Sequence, residues 1–160
     1  GKENLDGERK PVDPVEMHGQ QYRRSVYVQA RRTRPLGVLE TFDLAGMAPN
    51  CTQRPESNVA PQALMLMNSD FIVAMAGEFA RRLMCDSPRE QTGQLRGGWE
   101  LAFNRVPSDD QMRAADSFVR TQLATLQEDQ PDLGDSARYQ LALATYCQAL
   151  FSSNRFLYIE

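Results

Sequence analysis

The stretch PQALMLMNSDFIVAMAGEFARRLM, residues 61–84, decides the fold class. Leu64, Met67 or Asn68, Phe71, Met75, Phe79 and Leu83 recur at intervals of three to four, the spacing of a helical face turned toward a core. Pro61 suits a first turn, where its missing N–H would have had no helical partner. Asn68, Ser69 and Asp70 are three cap formers in a row, so the pattern predicts a short helix over 61–67 and a longer one over 69–84. Asp86, Ser87 and Pro88 close the second.

Toward the C-terminus, a helix over 89–103 carries a stripe of Leu95, Trp99 and Phe103. Gly93, Gly97 and Gly98 weaken it, each by up to about 1 kcal/mol in an exposed interior. Ser108 and Gln111 have capping-box spacing, and Asp109 and Asp110 favour the same helix start through the dipole. That helix runs to about residue 127 through Met112, Ala115, Phe118 or Val119, Leu123 and Leu126. A polar turn with Pro131 follows over 128–134. Asp135 or Ser136 then caps a last long helix whose Tyr139, Leu143, Tyr146, Cys147 and Leu150 face one way. Ser153 and Asn154 end it, and 156–159 reads as a strand.

Toward the N-terminus, residues 1–21 are polar and broken by Pro11, Pro14 and Gly19, too poor in apolar side chains to offset the entropy of ordering. They read as a linker or N-terminal arm of a piece cut from a longer protein that ends near Glu160. Residues 25–30 alternate Val26, Val28 and Ala30 with Ser25, Tyr27 and Gln29, the period of a half-buried strand. Pro35 opens a short helix over 36–42, and Gly46, Pro49 and Asn50 begin a long irregular loop reaching about residue 59. The expectation is a mainly α protein: a compact bundle of about five helices over 22–160, with at most a small two-stranded sheet made by the 25–30 strand and the C-terminal tail.

With 160 residues the chain fits one domain. Its 18 Lys and Arg against 21 Asp and Glu give a net charge of −3, without the positive excess that phosphate-backbone binding needs, so no nucleic-acid partner is expected. No window approaches the roughly 20 apolar residues of a membrane span, and the first residues lack the apolar core of a signal peptide. Cys51, Cys85 and Cys147 are dispersed, with neither zinc-site spacing nor the Cys-x-x-Cys-His that attaches haem. They read as free thiols or as one disulfide plus a free thiol. No metal or cofactor is expected in this chain.

Catalytic constellations are missing too. His18, the single histidine, lies in the arm, and a Ser-His or Cys-His pair needs that ring held within hydrogen-bond reach. Asp109-Asp110 and Glu128-Asp129 sit at helix ends, where carboxylates serve as caps or solvated surface. Asp129, Asp132 and Asp135 offer oxygen ligands without the full pattern of a calcium loop. Met65, Met67, Met75 and Met84 read as core filler. The densest charge is Arg23, Arg24, Arg31, Arg32 and Arg34. With Arg54, the first, second, third and fourth of these form the candidate site, read chiefly as Arg–carboxylate pairs within or between domains, next as plain solvated surface, and alternatively as an anion or acidic-glycan site. Ser57, Gln62, Asn68, Arg105 and Asn154 are read as structural; the amide of Gln62 ties a helix start to the loop before it.

Several blocks carry a resemblance. Arg23, Arg24, Val26, Tyr27, Val28 and Arg32 form one; Leu39, Phe42 and Asp43 a second; Cys51, Arg54, Ser57, Gln62, Ala63, Leu64 and Asn68 a third. Leu101, Ala102, Arg105 and Pro107 make a fourth, and residues 149–158 close with Leu-x-x-Ser-x-x-Phe-Leu. Together they resemble the planctomycete-specific C-terminal (PSD-type) domain of unknown function found in exported proteins that also carry a cytochrome-c-like domain. The likeness covers roughly residues 22–160, departing at Gln53, where the family often has a second arginine, and at Ser69-Asp70, where it often has Asp-Pro. It implies an extracytoplasmic location, other domains of the same parent protein as partners, and haem, if any, in a separate domain. It implies no established activity. The function expected is therefore that of a noncatalytic structural or interaction domain, the alternative being glycan or anion binding or a share in an enzymatic site completed by a neighbouring domain.

Overall fold

The computed structural model describes residues 24, 27, 41, 42, 59–88 and 90–157. The chain divides into two units, Gly1–Asn58 and Val59–Glu160. In the first, the described residues give two local facts. Tyr27 lies in a 3₁₀ turn, its N–H donating to the Arg24 carbonyl at 3.0 Å, so the extended backbone expected at residues 25–30 is replaced by a turn at that point. Thr41 is helical, within the short helix expected over 36–42. The rest of both segments lies outside the described residues.

The second unit is a helical bundle: α1 (Val59–Asn68), α2 (Asp70–Asp86), α3 (Gln91–Phe103), α4 (Asp109–Asp129), α5 (Asp135–Phe151) and the one-turn α6 (Asn154–Leu157). Among the described residues there is no strand. The C-terminal strand expected over 156–159 gives way at its start to α6: the Phe156 N–H donates to the Ser153 carbonyl at 3.0 Å, and the Phe156 ring lies 5.1 Å from that of Phe151. That aromatic contact favours a turn over an extended exit.

The break between α1 and α2 falls where three cap formers meet. Ser69 is extended (φ −81°, ψ 118°) and Asn68 turns its amide back, Nδ2 donating to the Leu64 carbonyl at 2.9 Å. The α4 start is a complete capping box. The Gln111 N–H donates to Ser108 Oγ at 3.3 Å, and the Ser108 N–H to Gln111 Oε1 at 2.8 Å. At α5 the cap is Gly134, one residue before the expected Asp135.

The core is built on α2 and α5, the pair in most extensive contact. Ala76, Ala80 and Leu83 of α2 and Ala142, Leu143, Tyr146, Cys147 and Leu150 of α5 are buried, joined by Leu95 of α3 and by Ala115 and Val119 of α4. The apolar stripe read from residues 61–84 is only partly internal. Leu83 is buried and Phe79 packs on the core, ring to ring with Phe151 at 5.5 Å, but Leu64 and Met67 stay exposed. Met84 fills the core margin as expected, whereas Met67 does not.

The glycines of α3 have a packing reason that helix propensity alone hides. Gly98 is buried beneath the α2–α5 pair, where an added Cβ would lie 3.1 Å from Leu83 Cδ1 and 3.3 Å from Tyr146 Cε1. At Gly97 a Cβ would meet only Leu83 Cδ2, at 3.6 Å. Gly98→Ala should therefore destabilise by about 1–3 kcal/mol through overpacking. Gly97→Ala should stabilise by up to about 1 kcal/mol through helix propensity. Chemical denaturation of the two single variants, one residue apart and opposite in sign, checks this account of how α3 seats.

Candidate functional site

Asn104 turns the chain at the end of α3. It is the one non-glycine among the described residues with positive φ (51°), a conformation Asn tolerates better than most residues, and its N–H donates to the Glu100 carbonyl at 2.8 Å. The four residues 105–108 then cross to the cap of α4. This crossing leaves a cleft of about 420 Å³, lined by Trp99, Phe103, Arg105, Pro107, Gln111 and Arg155 among others. Trp99 and Phe103, one helical turn apart, hold each other edge to face with ring centroids 4.7 Å apart. Pro107 is buried, whereas Arg105 and Arg155 are exposed. Among the described residues no hydrogen bond or ion pair engages either guanidinium.

Elsewhere the polar groups are consumed by the fold. Gln94, 3% exposed, donates from Nε2 to the Ser87 carbonyl at 2.8 Å and accepts from the Tyr139 hydroxyl at 2.5 Å, tying the α2–α3 turn to α5. The Tyr146 hydroxyl donates to the Leu95 carbonyl at 3.1 Å. Gln91 Nε2 donates to Asp116 Oδ1 at 2.9 Å, and Asp116 also pairs with Arg120. Arg138 is the buried charge: Nη1 meets Asp135 at 2.8 Å while Nη2 donates to the carbonyls of Pro131 and Leu133, fastening the α4–α5 turn. Its Nε and the Ser152 hydroxyl are buried without a hydrogen-bond partner.

Of the residues singled out by sequence, Arg23, Arg31, Arg32, Arg54 and Ser57, together with Arg34, His18 and Cys51, lie outside the described residues. Arg24 is exposed. Gln62 is 2% exposed in the first half of α1. Asn68 caps α1, Arg105 lines the cleft and Asn154 is an exposed first residue of α6. The structure thus sets Arg105 beside Trp99 and Arg155, neither of which the sequence marked as a site. The signal for the grouping was local: an aromatic pair at i, i+4, an Asn able to turn left-handed, then Pro107. Asp129, Asp132 and Asp135 do not converge; among the described residues no group of three or more His, Cys, Asp and Glu is placed to hold a metal ion. No described helix is long and apolar enough to cross a membrane.

Cys85 is exposed and Cys147 buried, both free. Burial pushes the Cys147 thiol up to about 12, against a smaller opposing effect of its own backbone hydrogen bond. Burial likewise raises Tyr139 and Tyr146, with the charge of a Cys147 thiolate adding to both. A thiol this reluctant to ionise is a packing group rather than a nucleophile.

The family model described as PSD1, protein of unknown function (DUF1553), matches residues 3–119, from within the N-terminal stretch read as an arm to the middle of α4. No curated protein and no solved structure matches the chain.

Below pH 9 the Cys147 thiol keeps its proton in the folded and unfolded chain alike. Between about pH 9 and 12 the unfolded chain releases it first, so stability falls as pH rises, by at most about 1.4 kcal/mol per pH unit for one proton. Urea midpoints measured between about pH 9 and 11 should decline in the native chain, and Cys147→Ala should flatten that decline even where it lowers the midpoint itself.

Proposed function

The chain belongs to the family described as PSD1, protein of unknown function (DUF1553), and we propose that it works as a noncatalytic interaction domain held against other domains of its parent protein. The observation that carries this reading is the outer face of α1. Leu64 and Met67, three apart on one helix face, are 58% and 56% exposed although the pattern around them is that of a core stripe. Val73, early in α2, is 51% exposed. Fully burying one such side chain is worth about 1.5–3 kcal/mol, so covering two or three would supply a useful part of a docking energy. The α1 helix is also a firm platform: the Met67 carbonyl accepts from Gln148 Nε2 of α5 at 2.7 Å, and Gln62 is buried on its inner side.

The partner we assign is a neighbouring domain of the same polypeptide. The resemblance supports this through its context, an exported planctomycete-type protein with a cytochrome-c-like domain, which also supports an extracytoplasmic location with haem held outside this chain. An apolar patch with firm backing suits a permanent intramolecular neighbour, since a partner on the same polypeptide meets it at high effective concentration.

Leu64→Gln combined with Met67→Gln should leave the melting temperature of this chain nearly unchanged, because neither side chain is in its core. In the parent protein the same pair should speed proteolytic cutting between this domain and its neighbours several-fold. Equal cutting rates in variant and native parent protein would remove the α1 face from consideration.

A further inference from the structure

We infer that the cleft between the end of α3 and the start of α4 is a binding site for an acidic sugar, with Arg105 and Arg155 taking its charge and Trp99 its ring. The first ground is the state of the arginines. Arg81, Arg82, Arg113, Arg120 and Arg138 each pair with a carboxylate three or four residues away, whereas Arg105 and Arg155 form no ion pair among the described residues, although Asp109 lies four positions from Arg105 and the chain is acidic overall. Arg96 also forms no ion pair among the described residues, with Glu100 four positions on, but it does not line the cleft. Two unpaired guanidinium groups line one cavity from segments 50 residues apart in the chain, which concentrates positive charge there and favours an anionic occupant. Their planar forks match a carboxylate or a phosphate through paired hydrogen bonds.

The second ground is the rest of the lining. Trp99 presents a large apolar ring steadied by Phe103 and flanked by Pro107, which suits the C–H face of a sugar ring. The polar rim is divided. Ser108 Oγ and Gln111 Oε1 are occupied by the capping box, but Gln111 Nε2 is left to donate, as a hydroxyl-bearing ligand requires. A wholly apolar aromatic acid would need a slot closed on both faces, and this rim offers charge and an amide instead. A volume of about 420 Å³ is within the usual range for small-molecule pockets. Asp109 and Asp110, which follow Ser108, are not among the lining residues, and the Asp110 carboxylate is held by Arg113. The anionic group is a uronate carboxylate or a sugar phosphate; both present the same chemistry to the two forks.

Trp99 is the single tryptophan of the chain, so fluorescence excited selectively at the indole, apart from the five tyrosines, reports from this cleft. The native chain is titrated at constant ionic strength with galacturonate, glucose 6-phosphate, the neutral sugars galactose and glucose, and phenylacetate. A saturable change in Trp99 emission with one or both acidic sugars is expected, and whichever responds more strongly identifies the anion. Arg105→Gln combined with Arg155→Gln should weaken that response about tenfold or more, since each pairing lost is a charge-assisted one. Melting should be unaffected, because neither guanidinium holds the fold together. Where the double variant does not fold, Arg105→Lys and Arg155→Lys decide: each keeps the charge, loses the fork and should weaken binding by a smaller factor. Absence of a saturable change with both acidic sugars, an equal response to the neutral sugars, a response to phenylacetate alone, or undiminished binding in the arginine variants would overturn the assignment.

Discussion

The close approach of α2 and α5 is the constraint on which the rest of the bundle depends. Small side chains make it: Ala76 and Ala80 on one helix, Ala142 and Cys147 on the other, all essentially without solvent contact. Small residues let two helix backbones draw together, and the larger Leu83, Leu143, Tyr146 and Leu150 fill the core around that contact. There the third helix must cross, and it crosses at Gly98, where even a methyl group would press on Leu83 and Tyr146. The position of α3, and hence of everything after it, follows from how little space that pair leaves.

From that crossing the route to the cleft is short. With α3 seated by Gly98, Leu95 and the Tyr146 hydroxyl bond to the Leu95 carbonyl, its last turn has one place to go. Asn104 takes the left-handed conformation, three residues span the gap, and Ser108 restarts a helix with its cap complete. Trp99 and Phe103 remain on the last turn of α3 without being drawn fully into the core. The cleft is therefore a by-product of two well-formed helix ends, and its walls stand on elements fixed by core packing. Such footing is what a site needs if its arginines are to keep their places while unoccupied.

How much of this could be read from the chain follows from which forces are local. The helices over 108–127 and the last long helix were legible because a capping box and a regular apolar stripe are written in consecutive residues, and both lie where expected. The break at Asn68-Ser69-Asp70 was legible for the same reason. The 25–30 strand was misjudged at Tyr27, because strict alternation over six residues does not show whether a partner strand exists, and an isolated strand has no ladder to hold it. Leu64 and Met67 obeyed the helical period and still face outward; periodicity identifies a face but not what covers it. Gly98 reads in the sequence only as a residue that weakens a helix, since its reason for being glycine sits on two other helices, 15 and 48 positions away. Of the cleft only the wall formed by Trp99, Phe103 and Pro107, with the turn at Asn104, was legible, as Arg155 joins Arg105 on its lining only through the fold.

The arginines show how one residue type is divided between architecture and chemistry in an acidic chain. Those at i, i+3 or i, i+4 from a carboxylate on an exposed helix face, such as Arg81 with Glu78 and Arg82 with Asp86, contribute little to stability because water screens both members. They mainly keep the surface charged and mixed. Arg138 differs: its side chain is buried while its carboxylate partner Asp135 is fully exposed, so its charge is balanced by carbonyl oxygens of the α4–α5 turn as much as by the ion pair. Removing it would leave those carbonyls without a donor, which makes it architectural. Arg105 and Arg155 do neither job. Among the described residues neither guanidinium forms a hydrogen bond or an ion pair, and they share a cavity with the one tryptophan. Unpaired among the described residues and set on a cavity with an aromatic ring, they are the arginines of this chain best placed to meet what enters the cleft.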